Sequence, residues 1–194
     1  MKIKIHPLAF FCLFVNSLIM PRAAFIAYVF SVLLHEAGHI AAAGFARKKP
    51  REIKILPVGI SIGYDVCDSY KNIIFIASAG PFMNAAAALF TFILPLQYEF
   101  SVYMRLFSLS LALLNLLPVS FFDGGSIMHS LLAMKSGISA AENAARAADI
   151  FFLGAVWLAA VYIFFYSAVN ASLLIFSSYV FAAAILKKDA AVTR

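Results

Sequence analysis

Long apolar runs, broken by proline and short clusters of charge, divide the chain into six segments. The first covers residues 6–20 and ends at Pro21-Arg22; it is short for a membrane span, which usually takes about 17–25 residues. The second covers residues 23–45 and stops before the basic run from Arg47 to Arg51. The third covers residues 72–96, with Gly80-Pro81 inside it, and the fourth covers residues 102–117, ended by Pro118. A more polar stretch, residues 123–149, leads to a fifth segment at 150–168. A sixth, at 171–186, stops at Lys187-Lys188. Between the second and third, residues 52–64 alternate Ile and Val with small or charged residues around Pro57, Gly59 and Gly63, which predicts a short strand pair. The expected architecture is an all-α polytopic membrane protein. It has about six transmembrane helices and a short membrane-associated β-hairpin loop between the second and third. Residues 1–194 read as a single domain.

Composition agrees with that pattern. Hydrophobic residues make up 64% of the chain and charged ones 12%, with a mean hydropathy of +0.94. A soluble domain carries about 25% charged residues, so this chain has too little polar surface to cover itself in water. The net charge of +6 sits at segment ends, not in a stripe with interleaved polar groups, which excludes nucleic acid as a partner. Cys12 and Cys67 do not make a disulfide framework.

The charge also orients the chain. With a cytoplasmic N-terminus and six crossings, every basic residue except Arg22 and Arg105 falls on the inner side, as the excess of Lys and Arg in cytoplasmic loops requires. Both termini are then cytoplasmic, in a multi-pass protein of the cell membrane. Lys2 and Lys4 ahead of an apolar run resemble a signal peptide. Residues 16–22 lack a small-x-small cleavage site, so the first segment reads as a retained span.

The second span carries the chemistry. His35-Glu36-Ala37-Gly38-His39 places two imidazoles four residues apart, on one helical face and about 6 Å from each other, so both can reach one ion. Glu36 points about 100° around the helix, where a general base can take a proton from water beside the metal. Ionisable residues at bilayer depth cost roughly 2.5–3.5 kcal/mol each and are usually kept for function. A hydrolytic zinc site takes three protein ligands and one open position. His6, His129 and acidic residues at the same depth are candidates for the third. Asp123 is best placed, because it follows the fourth span at its cytoplasmic end, and His35 and His39 lie in the cytoplasmic half of the second. As a continuous helix, Asn115 and Asp123 would be about 12 Å apart; Pro118 and Gly124-Gly125 instead predict a bend that lets both turn toward the metal. Asp123 also suits the N-cap of a following helix. Asn84, after Gly80-Pro81, reads either as a hydrogen-bond donor to the site or as part of a small-residue packing face.

With these segments identified, the chain resembles the site-2 proteases, a family of intramembrane zinc metalloproteases, and within it the stage IV sporulation type. The likeness is carried by Lys4 to Pro7, His35 to His39, Leu56 to Gly59, and Asn115-x-x-Pro118 followed by Asp123-Gly124. It implies His35, His39 and Asp123 as zinc ligands, Glu36 as catalytic base, and Asn115 as a group that holds the substrate carbonyl or stabilises the oxyanion. It further implies a membrane-protein substrate, such as a sigma-factor precursor or another regulator, and a regulatory membrane partner. The sporulation type usually has a proline between Pro118 and the aspartate, where this chain has Ser120-Phe121-Phe122. A CBS domain (usual in that type) or a PDZ domain (found in other site-2 proteases) is not expected here. A non-catalytic adaptor or chaperone of the same family would lose a ligand or Glu36, and neither is lost. A zinc transporter would spread its ligands over several spans, and a bis-His haem site would use facing helices.

Overall fold

The computed structural model describes residues 2–5, 7–48, 50–56, 59–64, 69–93, 97–167 and 178. They fall into two compact units, Met1–Leu117 and Pro118–Arg194. The first unit contains β1 (Lys2–Ile5), α1 (Pro7–Ile19), α2 (Arg22–Phe45), β2 (Pro50–Leu56), β3 (Gly59–Tyr64), α3 (Tyr70–Phe90) and α4 (Tyr98–Asn115). The second contains α5 (Asp123–Ser136) and α6 (Ile138–Ser167).

Helices α2, α3 and α4 pack on one another, and their polarity is inverted relative to a soluble bundle. The buried stripe of α2 is Ala24, Ala27, Ser31, His35, Gly38, His39, Ala42 and Ala43, residues that are small or polar and recur at helical spacing. Its large apolar side chains, Ile26, Phe30, Leu33, Ile40 and Phe45, point outward. Helix α4 repeats the pattern, with Ser101, Met104, Ser108 and Ala112 inside and Leu106, Leu109 and Leu113 outside. In water, exposing those side chains would forfeit about 1.5–3 kcal/mol each; in lipid they cost nothing, and small residues inside let backbones approach closely.

Helices α2, α3 and α6 are long and apolar enough to cross a bilayer, which gives a multi-pass membrane protein. Helix α1 has 13 residues and at ~1.5 Å per residue falls short of a ~30 Å hydrocarbon core. The fourth expected span corresponds to α4, which has 18 residues and includes Arg105; Arg105 lies over the Phe92 ring at 4.1 Å. The fifth lies within α6, which begins at Ile138 and not near 150. In its early polar turns Glu142 and Arg146 share an exposed face, 3.9 Å apart, a spacing that adds at most about 0.2–0.5 kcal/mol to a helix. The sixth, residues 171–186, lies outside the described residues except for Ser178, and His6 and Cys67 lie outside them as well.

Strands β2 and β3 pair antiparallel, from Pro50 opposite Tyr64 to Leu56 opposite Gly59. Strand β1 joins β2 in parallel, and Lys4 Nζ reaches Glu52 Oε1 at 2.7 Å. The lysines read from the sequence as the basic flank of an apolar run thus belong to a strand.

Candidate metal centre

Helix α2 delivers His35 and His39 to one point. Both are buried, and their Nε2 atoms are 3.1 Å apart, with the rings nearly perpendicular at 82°. Two nitrogen lone pairs at that distance repel unless a proton or a cation lies between them. Zinc suits such a pair: ligands at ~2.0–2.1 Å from a tetrahedral ion stand about 3.3–3.4 Å from each other.

The opposite side of each ring is held by α3. His39 Nδ1 faces the Ile76 carbonyl at 2.7 Å. A carbonyl only accepts, so Nδ1 carries the proton and Nε2 keeps its lone pair for a metal, an arrangement usual for metal-binding histidines. His35 Nδ1 faces the side-chain amide of Asn84 at 3.3 Å. Ile76, Gly80 and Asn84 are spaced by four and lie on the buried face of α3.

Gly80 sits between the two partners and makes the approach sterically feasible. A Cβ built on it would stand 2.6 Å from His39 Cε1 and 2.9 Å from His35 Cε1, and closer still to His39 Nε2. A Cβ on Gly38 would likewise stand 2.6 Å from the Ala79 carbonyl oxygen. The Gly80-Pro81 pair, read from sequence as a kink followed by packing residues, lies in a helix that continues to Phe90; its glycine makes room for the imidazoles. Gly80→Ala is therefore expected to weaken zinc binding at least tenfold in a chelator-competition titration. Unchanged affinity would show that the rings have room to move aside.

Glu36 lies one position along α2 and is half-buried. One turn before His35, Ser31 Oγ donates to the Ala27 carbonyl at 2.8 Å and lies 3.0 Å from Ser108 Oγ, which ties α2 to α4. Asn115, the last residue of α4, donates from Nδ2 to the Leu111 carbonyl at 2.9 Å. That commits one N–H of its amide to its own helix.

In the second unit, the expected bend precedes Asp123. Helix α5 opens at Asp123, and its cap position is Phe122, with no side-chain cap hydrogen bond. Asp123 stands in the first turn, so the capping role that its sequence suits is not the one it takes. The turn is held by the Ser120 N–H, which donates to Asp149 Oδ1 at 2.7 Å. Gly125 is pressed against the same turn: a Cβ there would lie 2.8 Å from the Ser120 nitrogen and nearer to the Val119 backbone. His129 is half-buried on α5. Two imidazoles on α2 and the carboxylate that opens α5 are side chains of the kinds zinc accepts.

Apolar helices turned outward around a buried histidine pair define a multi-pass membrane protein built to hold a metal. Comparison with known proteins narrows the class. Residues 97–160 match Peptidase family M50, a segment that contains Asn115, Pro118 and Asp123 but not the histidine pair. The chain is 30% identical over 131 residues to the zinc metalloprotease MJ0392 of Methanocaldococcus jannaschii, covering 63% of this chain and 38% of the relative. It is 26% identical over 140 residues to the stage IV sporulation protein FB of Bacillus subtilis, covering 69% and 48% respectively. The solved site-2 protease from Methanocaldococcus jannaschii shares the fold, with a TM-score of 0.66 at 23% identity over 95% of this chain and 89% of that one. Over residues 97–160 the chain is thus similar to Peptidase family M50, and its likeness to zinc metalloproteases is in line with what its motifs led one to expect. It spans less than half the length of the curated relatives it matches.

Proposed function

We propose that this chain is an intramembrane zinc metalloprotease that hydrolyses a peptide bond within or near the transmembrane segment of a membrane-tethered protein. The observation that carries this reading is the histidine pair: two Nε2 atoms 3.1 Å apart, with the Nδ1 of His39 held by a backbone carbonyl, buried in an apolar bundle. His35 and His39 hold the metal through Nε2, and Asp123 supplies the third ligand through its carboxylate. The family match over the segment that contains Asp123 supports that assignment.

Zinc, when bound, supplies a Lewis acid that polarises a carbonyl and eases the ionisation of water. Glu36, beside the ligands on α2, takes the proton from the attacking water and returns it to the leaving amine. The remaining N–H of Asn115 is the donor for the substrate carbonyl as negative charge develops on its oxygen. Burial of the ligands among apolar helices keeps the local dielectric low, which strengthens each of these interactions. The substrate helix must unwind locally, since a helical peptide bond has its carbonyl engaged and its carbon shielded.

The positive-inside distribution supports an active site in the cytoplasmic half of the bilayer, with products released inward. The substrate class is a membrane-tethered regulator, of which a sigma-factor precursor is one form. The test is to express the chain with single-span reporter proteins whose transmembrane segment carries a Gly-Pro break at different depths, and to map the cut by mass spectrometry. Cleavage at or inside the cytoplasmic half of the segment is expected. Cleavage confined to soluble loops far from the membrane would overturn the reading.

A further inference from the structure

The two buried histidines do not have equivalent partners, and the difference lies at Asn84. His39 faces a carbonyl, which fixes its proton on Nδ1. His35 faces a primary amide, which offers both a donor and an acceptor. Asn84 is fully buried, and with its nitrogen turned toward His35 its Oδ1 has no hydrogen-bond partner among the described residues. In that orientation the amide donates to His35 Nδ1, the proton of a neutral ring is placed on Nε2, and His35 donates to His39 Nε2 across the 3.1 Å gap. Such a ring has no lone pair left for a metal. The oxygen and nitrogen of an amide occupy nearly the same positions, and the hydrogen-bond network decides between them. If they are exchanged, Oδ1 accepts from His35 Nδ1–H, and both Nε2 lone pairs point at one ion.

We propose that Asn84 is a positioning residue for the metal centre, presenting Oδ1 to His35 Nδ1–H and so fixing the tautomer in which His35 can bind zinc. This rests on the metal reading above. The role is that of an acceptor, opposite to the donor role that the sequence suggested. It also gives a reason for a fully buried amide in an apolar helix, four residues after the glycine that makes room for the rings. The orientation is decided at the imidazole, because only one tautomer leaves both lone pairs for the ion.

The experiment compares zinc affinity, by competition with a chromophoric chelator, in the full chain and its Asn84→Asp, Asn84→Leu and Ser108→Ala variants in detergent. Co²⁺ absorption reads the ligand geometry in parallel. Aspartate can only accept, so Asn84→Asp is expected to retain wild-type affinity and the Co²⁺ spectrum. Asn84→Leu is expected to lose about 10–100-fold, the usual effect of removing such a partner. Ser108→Ala, which removes a buried polar group elsewhere in the bundle, is expected to leave affinity unchanged. A loss in Asn84→Asp equal to that in Asn84→Leu would overturn the acceptor role, as would equal affinity in all variants. A wild type that binds neither metal would overturn the metal reading together with it.

Discussion

Glu36→Gln is expected to reduce cleavage of a membrane-tethered substrate by about 10²–10⁴-fold, the range assigned to a positioned general base, while the purified variant keeps its zinc. The substitution preserves the size and shape of the side chain but removes its ability to accept a proton. Glu36 does not share the ligand face: the buried stripe of α2 runs through His35, Gly38 and His39, and Glu36 is half-buried beside it. Loss of activity with metal retained is the combination that separates a base from a ligand. Metal analysis and a cleavage assay on one preparation read both quantities. Cleavage that persists in Glu36→Gln would remove Glu36 from the mechanism, and loss of zinc would make it a ligand.

His39→Ala is expected to lower zinc affinity by more than 10²-fold and to abolish activity, the largest effect on metal content of any single change. His39 is the better anchored of the pair, because its Nδ1 proton is fixed by the Ile76 carbonyl at 2.7 Å and its Nε2 is therefore a lone-pair donor. Asp123→Asn is expected to lose both zinc and activity as well, since an amide oxygen is a weaker ligand than a carboxylate. Equilibrium metal binding, followed by competition with a chelator of known affinity, distinguishes these outcomes. An Asp123→Asn protein that binds zinc as tightly as wild type would move the third ligand elsewhere, whereas an unaffected His39→Ala protein would dismiss the site.

Much of this was legible in the sequence because it is local. The four-residue spacing of His35 and His39 dictates a shared face in any helix, and the basic clusters with Pro21 and Pro118 mark the ends of α1, α2 and α4 within a few residues. The bend between Asn115 and Asp123 follows from Pro118 and two glycines. What escaped the sequence depends on pairs of distant segments. Asn84 was legible as one of two readings, a hydrogen-bonder to the site or a packing residue, but that α3 lays Ile76 against His39 cannot be read from either segment alone, although the repeat of Ile76, Gly80 and Asn84 at four-residue intervals shows that they share a face. Gly80 was legible as a packing residue, but its effect on the histidine rings required the approach of α2 and α3. Strand β1 was masked by its likeness to the basic flank of an apolar run, since parallel pairing with β2 is set by residues about 50 positions away. The start of α6 at Ile138 was missed because its first turns are polar, and a change in hydropathy is not a change in backbone conformation.

We propose that the buried histidine pair holds a zinc ion at which a membrane-embedded peptide bond is cut. The most direct measurement of this is cleavage of a fluorescently tagged single-span substrate in proteoliposomes containing only the purified chain, before and after zinc is stripped with a chelator and then restored. Cleavage is expected to disappear when zinc is stripped, to return when one equivalent of zinc is added to the wild type, and not to return with His39→Ala. Cleavage that continues at the same rate in protein shown by elemental analysis to contain no zinc would contradict the proposal.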